Sequence, residues 1–134
     1  MRTFVIPGDP VPKGRPRHTK FATYTPKRTT DAESHTLACY LDSCGSLPAY
    51  AGPVSVSVRC VFGIPKSWSK AKKQAALDGE LRHTIRKDVD NLAKLVMDAI
   101  QPHAFADDCQ VVALEVHKLH GNTPATYVTL EGEM

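Results

Sequence analysis

Residues 86–108 read RKDVDNLAKLVMDAIQPHAFADD, a helix-forming run with paired acids at both ends. Apolar residues recur along it at i, i+3 and i+4, which predicts a helix with one buried stripe. Asp88 or Asp90 can cap its first turn, because orphan backbone amides and the helix dipole favour acids there, and Pro102 ends it. We therefore expect a helix whose buried stripe is formed by Leu92, Leu95, Val96, Ala99 and Ile100.

Four carboxylates flank this helix. Asp88 and Asp90 stand at its start, and Asp107 and Asp108 follow beyond its end. They can converge if the chain folds back between them, and clustered hard oxygen ligands suit Mg²⁺ or Mn²⁺ rather than zinc or copper. The pattern predicts a divalent-metal site.

A simpler interpretation of the D-x-D pair is also open. Asp90 and Lys94 are four residues apart, so they face each other on adjacent helical turns. A helix cap followed by a surface ion pair explains both residues without a metal. The neighbours favour the metal site, because Asn91 directly follows the pair and an acidic doublet enters the next strand.

Length and composition fit one small domain that spans residues 1–134. The chain contains no apolar run of about eighteen residues, and its N-terminus lacks an apolar stretch typical of a signal peptide, so we expect a cytoplasmic protein. A net charge of +3 permits nucleic acid as a partner without requiring it. No C-x-x-C pair occurs, which favours buried or half-buried thiols over disulfides or zinc ligands at Cys39, Cys44, Cys60 and Cys109.

A basic segment follows the N-terminus. Prolines and glycines in residues 7–28 predict irregular structure. Residues 13–28 contain no acid, and Phe21 and Tyr24 are interleaved with the basic residues, a composition that suits a nucleic-acid backbone. A solvated, mobile loop is the alternative. The candidate DNA-binding cations of this basic loop are Lys13, Arg15, Arg17, Lys20, Lys27 and Arg28.

A second positive patch lies in residues 66–73. It falls on a short helix that Ser69 can cap, and a lysine-rich helical face of this kind is often only solvated. The patch contains Lys72, and we assign DNA contacts to Lys66, Lys70 and Lys73.

The remaining elements alternate between strands and helices. Residues 2–6 predict an opening strand, and residues 53–62 alternate so that Val54, Val56, Val58, Cys60 and Phe62 share one face. Between them a helix is expected to begin with a capping box of Thr30 and Glu33 and to end at Gly45. Its apolar face is expected to comprise Leu37, Ala38, Leu41 and Cys44.

Two more strands end the chain. Residues 110–119 and 125–131 predict strands, and Gly121 with Asn122 suits a hairpin turn between them. The order is strand, helix, strand, helices, strand, strand. We therefore expect an α+β fold in which helices pack on a mixed sheet.

The chain resembles the RusA-type Holliday junction resolvases. The resemblance covers about residues 6–118, and its specific part is DVDNLAKLVMDAI followed by DDCQVVALEVHK. GDPVPKGRPR, YTPKRTTDAE and PKSWSKAKKQAAL support it, in the family's order. The resemblance implies a homodimeric endonuclease of bacteria or their prophages that cuts four-way DNA junctions in recombination and repair. It further implies dependence on Mg²⁺, for which Mn²⁺ can substitute, and no small-molecule cofactor.

The resemblance also assigns roles within this sequence. The family's acidic metal-site residues fall on Asp88, Asp90 and Asp108, its essential lysine falls on Lys94, and Asp107 matches an accessory acid. Two departures leave the shape of the junction-facing loops open. Lys87 stands where relatives often have proline, and residues 101–106 lack the usual asparagine and glycine.

Two other functions compete with junction resolution. A flap or branched-DNA nuclease of broader specificity would share the metal site, and a non-catalytic DNA-binding module would use the acids only as a cap and an ion pair. Clustered acids beside phosphates are unfavourable unless a cation bridges them, which favours a nuclease. Two symmetric cuts require two sites, so we expect a homodimer, with part of its interface on the apolar face of residues 54–62 or on the first helix.

Overall fold

The computed structural model describes residues 1–133, which form a mixed four-stranded sheet and three α-helices. The α+β class is thereby confirmed. In chain order the elements are β1 (Arg2–Pro7), β2 (Arg17–His18), β3 (Thr23–Tyr24), α1 (Lys27–Cys44), β4 (Val54–Gly63), α2 (Lys70–Leu77), α3 (Val89–Ile100), a 3₁₀ turn (Asp108–Gln110), β5 (Val111–Gly121) and β6 (Ala125–Gly132).

The sheet order is β1-β6-β4-β5, so the predicted hairpin at the end of the chain is wrong. β4 lies between the last two strands, parallel to β5 and antiparallel to β6. Residues 122–124 therefore carry the chain across the end of β4. Turn-forming residues show where a chain reverses, but they do not show which strand it then pairs with.

The core lies between one face of the sheet and the helices. Val54, Val58 and Cys60 of β4 are almost completely buried, which confirms the predicted alternation. The predicted stripe of α3 is buried against this face as well. The apolar face of residues 54–62 is therefore filled within the monomer and is not available as a dimer interface.

Helix α1 begins earlier than predicted, with Pro26 at the N-cap position and no side-chain cap. The capping box is wrong, because the Thr30 hydroxyl donates to the Lys27 carbonyl and the Glu33 carboxylate accepts from Lys13. The predicted apolar face is also partly wrong, since Ala38 is exposed and Leu41 is 42% exposed. The helix instead buries Thr29, Thr36, Tyr40 and Cys44.

The basic loop contains regular structure that its prolines and glycines did not predict. β2 and β3 form a two-residue antiparallel ladder, with Arg17 opposite Tyr24. The loop is also held close to α1, because the Gly14 amide donates to the Thr29 hydroxyl at 2.9 Å. A Cβ at Gly14 would lie 2.7 Å from that hydroxyl oxygen, so the close approach requires glycine.

All four cysteines have free thiols, as the spacing predicted. Cys44 and Cys60 are buried and Cys39 is half-buried, but Cys109 is exposed, contrary to expectation. Burial raises the pKa of the Cys60 thiol to about 11. Within residues 1–133, no helix is both long and apolar enough to cross a bilayer.

Candidate active site

The start of α3 presents two free carboxylates. Asp88 occupies the N-cap position without a side-chain capping bond, and Asp90 lies in the first turn. Both residues are exposed, and neither carboxylate has a hydrogen bond or ion pair within residues 1–133. The backbone carbonyl of Asp88 instead accepts from the Leu92 amide at 3.0 Å. The helix therefore holds the backbone at both acids while their side chains stay available to a ligand.

The alternative ion pair between Asp90 and Lys94 does not form. Lys94 is exposed, and no carboxylate of the described chain lies within 4.0 Å of its ammonium. Its place on α3 is nevertheless well defined, because the neighbouring Ala93 and Leu95 are buried. Lys94 is thus a free cation one turn beyond the first acids.

The second pair of acids lies on the 3₁₀ turn that precedes β5. Asp107 caps this turn: its Oδ1 accepts from the Cys109 amide at 3.0 Å, and its own amide donates to Oε1 of Gln110 at 3.1 Å. Nε2 of Gln110 then donates to the carbonyls of Tyr50 and Gly52, at 2.9 and 3.0 Å. The turn that carries the acidic pair is therefore attached to the segment entering β4.

The pKa values of Asp107 and Asp108 are shifted in opposite directions. The Cys109 backbone amide and the Asp108 carboxyl group lower the pKa of Asp107. The hydrogen bond with Asp107 raises the pKa of Asp108, and the negative charges of Asp107 and Asp98 raise it further. Asp107 thus acts as the structural cap of the pair, and Asp108 is the acid crowded by like charge.

Asp98 brings the basic loop to this region. Nζ of Lys13 lies 2.7 Å from Oδ2 of Asp98 and 2.9 Å from Oε1 of Glu33. The Lys13 amide also donates to the Asn91 carbonyl at 2.8 Å. Burial alone would lower the pKa of Lys13, but the hydrogen bonds with the two carboxylates outweigh it and raise the pKa. The basic composition of the loop predicts that Lys13 contacts DNA, whereas in the folded chain its charge is already paired.

The position of Asp98 on the helix surface could have been inferred from spacing alone. Asp90, Lys94 and Asp98 follow one another at intervals of four and share one polar stripe of α3. The partner of Asp98 could not have been inferred, because Lys13 is 85 residues away along the chain.

Most of the other candidate DNA-binding cations are exposed. In the basic loop, Lys27 lies 3.4 Å from Asp31, an ion pair that is largely exposed. On the second patch Lys73 is half-buried. The cations that are exposed and have no carboxylate within 4.0 Å in residues 1–133 are Arg15, Arg17, Lys20, Arg28, Lys66 and Lys70.

The carboxylate oxygens at the two acidic pairs are the kind of ligand that Mg²⁺ prefers. Among residues 1–133, no group of three His, Cys, Asp or Glu side chains is placed so that it could hold a metal ion. Mg²⁺ nevertheless needs only one or two protein carboxylates, since water completes its octahedron. Asp88, Asp90 and Asp108 are exposed carboxylates, and the like charges around Asp108 are those a dication would neutralise.

Two comparisons with known proteins bear on this site. Residues 7–131 match the family described as endodeoxyribonuclease RusA. The chain is also 35% identical over 133 residues to the uncharacterized protein YqaN of Bacillus subtilis (strain 168), which covers 95% of this chain and 93% of that protein. The range matched by the family contains the two acidic pairs and Lys94.

Proposed function

Since the chain belongs to the RusA family of endodeoxyribonucleases, we propose that it resolves four-way DNA junctions by paired, symmetric nicking that depends on Mg²⁺. The observation that carries the proposal is the pair of free carboxylates, Asp88 and Asp90, at the start of a helix buried on its other side. The proposed setting is DNA recombination and repair in the cytoplasm of a bacterium, with the gene in the host or in a prophage.

We assign the metal to Asp88, Asp90 and Asp108, with Asp107 in an accessory role. Bound Mg²⁺, or Mn²⁺ in its place, would supply an activated water and neutralise charge on the phosphate. The capping bonds of Asp107 hold the turn so that Asp108 stays exposed. The capping bonds of Asp107 support this division between the two acids.

Lys94 has no carboxylate within 4.0 Å in residues 1–133, so its charge is available to substrate. A fixed ammonium near the scissile phosphate stabilises the charge that develops there in the transition state. We propose this role for Lys94, one turn along the helix from Asp90. No other lysine lies on α3.

The basic loop is proposed to bind the DNA backbone through exposed cations such as Arg15, Arg17, Lys20 and Arg28. Phe21 is 90% exposed in the segment between β2 and β3, so an aromatic ring accompanies the charges. Lys13 is proposed to act indirectly, by holding this loop against α3 through Asp98. Further DNA contacts are proposed for four lysines in addition to the exposed cations named above: Lys27, Lys66, Lys70 and Lys73.

We propose that a homodimer forms along β5. β5 is an edge strand of 11 residues, and within residues 1–133 it pairs only with β4. Val112 is 68% exposed and Leu114 is 46% exposed, an apolar surface on an edge that invites pairing. The strand begins directly after the turn that carries Asp108, so two-fold pairing here would fix the distance between two active sites.

Cleavage assays test the proposal. Labelled four-way junction, flap and linear duplex DNA are incubated with the purified protein in Mg²⁺ or in EDTA. Symmetric cuts in the junction only, and only with Mg²⁺, are expected. Preferential cutting of flaps would indicate a broader nuclease. Binding without cutting of any substrate would indicate a non-catalytic module.

A further inference from the structure

A groove lies between the segment that follows α2 and the last residues of β5. One part, of ≈ 490 Å³, is lined by Arg59, Arg82, Lys118 and neighbouring residues. A second part, of ≈ 320 Å³, shares Arg82 with the first and adds Trp68 and Lys72. We call the two parts together the α2–β5 groove. The metal-site assignment uses none of its residues.

The charge of the groove is predominantly positive. Arg59, Lys72, Arg82 and Lys118 line it, against the single carboxylate of Asp78. Lys118 is held in place, since its Nζ donates to the Ile85 carbonyl at 2.9 Å. A groove with this balance suits a phosphate-bearing ligand.

A chain of aromatic rings forms one wall of the groove. His83 stacks on Phe62 with ring centroids 4.0 Å apart, and the His83 ring lies 5.1 Å from that of His120. The His120 ring in turn lies 5.5 Å from that of Trp68. These rings end in a half-buried tryptophan at the mouth of the groove. Half-exposed aromatic rings beside cations are the usual platform for bases of a single strand.

The ring of Trp68 is covered by the ammonium of Lys72, an exposed side chain that can move. Nζ of Lys72 lies 4.1 Å from the centroid of the Trp68 ring, and Lys72 is exposed. A base can take the place of this ammonium over the ring, and the ammonium can then contact a phosphate. The site is therefore suited to base and phosphate together.

Nitrogen atoms in the wall lack partners. Nδ1 of His83 and both ring nitrogens of His120 are buried without a hydrogen bond in residues 1–133. Buried polar atoms of this kind are costly to leave unpaired. Because these atoms have almost no exposed surface, the two rings line the groove without offering these nitrogens to a ligand.

The groove is connected to the start of α3. Lys87 directly precedes Asp88, and its Nζ lies 5.3 Å from the centroid of Phe62, the ring on which His83 stacks. Lys87 therefore connects the acids of α3 with the ring wall.

We propose that the α2–β5 groove binds an unpaired nucleotide of the DNA substrate, with its base on Trp68 and its phosphate on Lys72 and Arg82. The inference rests on the proposed function, because it assumes that DNA occupies the start of α3. It adds a requirement for unpaired bases next to the cut, which a four-way junction can supply at its branch point.

Trp68 is the chain's single tryptophan, so its fluorescence reports on the groove directly. The protein is titrated in EDTA with a short oligothymidylate and with an abasic oligomer of equal length and charge. Anisotropy of a labelled end measures binding in both titrations. Stacking predicts that thymidylate quenches Trp68 and that the abasic oligomer binds without quenching it. Equal emission changes with both, or anisotropy without any quenching, would overturn the inference.

Variants at Trp68 provide the second measurement. Trp68→Ala should weaken oligothymidylate binding about ten-fold and leave the abasic oligomer's affinity unchanged. Trp68→Phe should restore most of the loss. Equal weakening for both oligomers would indicate a structural role and refute stacking.

Junction cleavage by the wild-type protein separates the two proposals. Quenching without cleavage would refute the nuclease proposal and support nucleotide binding in the groove. Cleavage without quenching would support the nuclease and refute nucleotide binding in the groove.

Discussion

Nζ of Lys13 lies 2.7 Å from Oδ2 of Asp98, which joins the basic loop to the helix that carries Asp88 and Asp90. Glu33 of α1 accepts from the same ammonium at 2.9 Å. One half-buried lysine therefore connects three parts of the chain: the loop, α1 and α3. Its contribution to DNA binding and to stability can be separated by experiment.

Lys13→Met should lower the free energy of unfolding by about 1–2 kcal/mol, because it leaves two carboxylates without their shared, partly screened partner. Urea denaturation measures the change. Arg15→Gln is the matched control, since Arg15 is exposed and has no carboxylate within 4.0 Å in residues 1–133. Equal stability of the two variants would contradict the anchoring role.

The salt dependence of DNA binding should distinguish Lys13 from the unpaired cations of the basic loop. Neutralising Arg15, Arg17 and Lys20 should flatten the log–log slope by about 0.9 for each lost phosphate contact. Lys13→Met should change the slope much less, because its charge is already paired. Filter-binding or anisotropy titrations at several salt concentrations measure both slopes. A loop that is only solvated would leave every slope unchanged.

Asp90→Asn should reduce junction cleavage by roughly 100-fold or more, because it removes charge from the proposed metal site. Junction binding should be retained or strengthened, since one negative charge beside the phosphates is lost. Single-turnover cleavage and gel-shift titrations measure the two effects. Asp42→Asn, at an exposed acid of α1, is the control and should cleave normally. Loss of binding together with cleavage in a folded Asp90 variant would argue against the metal role.

Leu114→Glu should convert a dimer into a monomer, because it places a charge on the exposed edge strand. Sedimentation equilibrium at micromolar concentration measures the mass. Val5→Glu is the matched control: Val5 is 45% exposed on β1, at the opposite edge of the sheet. A wild-type protein that sediments as one chain and still cuts junctions in pairs would refute the dimer.

Stability should fall on acidification through the titration of His83. Burial lowers the pKa of His83 to about 4, and the charges of Lys118, His120 and Lys87 contribute in the same direction. Since the unfolded chain has the ordinary value of 6.5, it binds the proton more readily, and folding stability is lost as the pH falls from 6.5 towards 4. His83→Phe keeps a ring on Phe62 without the titration.

Urea denaturation across that pH range should give a shallower loss for His83→Phe than for the wild type. His103→Gln is the control, because His103 is exposed, and it should follow the wild type. Parallel curves of stability against pH for all three proteins would exclude His83 as the source of the stability loss on acidification.

The sequence by itself determined the local elements of this protein. The stripe of α3, the alternation of β4 and the cap at Ser69 depend on neighbours within a few residues, and each is present as predicted. The two acidic pairs could be recognised for the same reason, since each pair is local. Two local predictions at helix starts failed. The capping box of Thr30 and Glu33 does not form because Glu33 pairs with the distant Lys13, and neither Asp88 nor Asp90 caps α3 with its side chain.

Only the tertiary structure decided which of these parts meet. It inserted β4 between β5 and β6, paired Lys13 with Asp98 and brought His83 onto Phe62. It also filled the apolar face of β4 from within the monomer, while Val112 and Leu114 at the edge of β5 stay exposed. These contacts join residues far apart in the chain, and their partners are chosen by packing and charge in the folded state rather than by any local pattern.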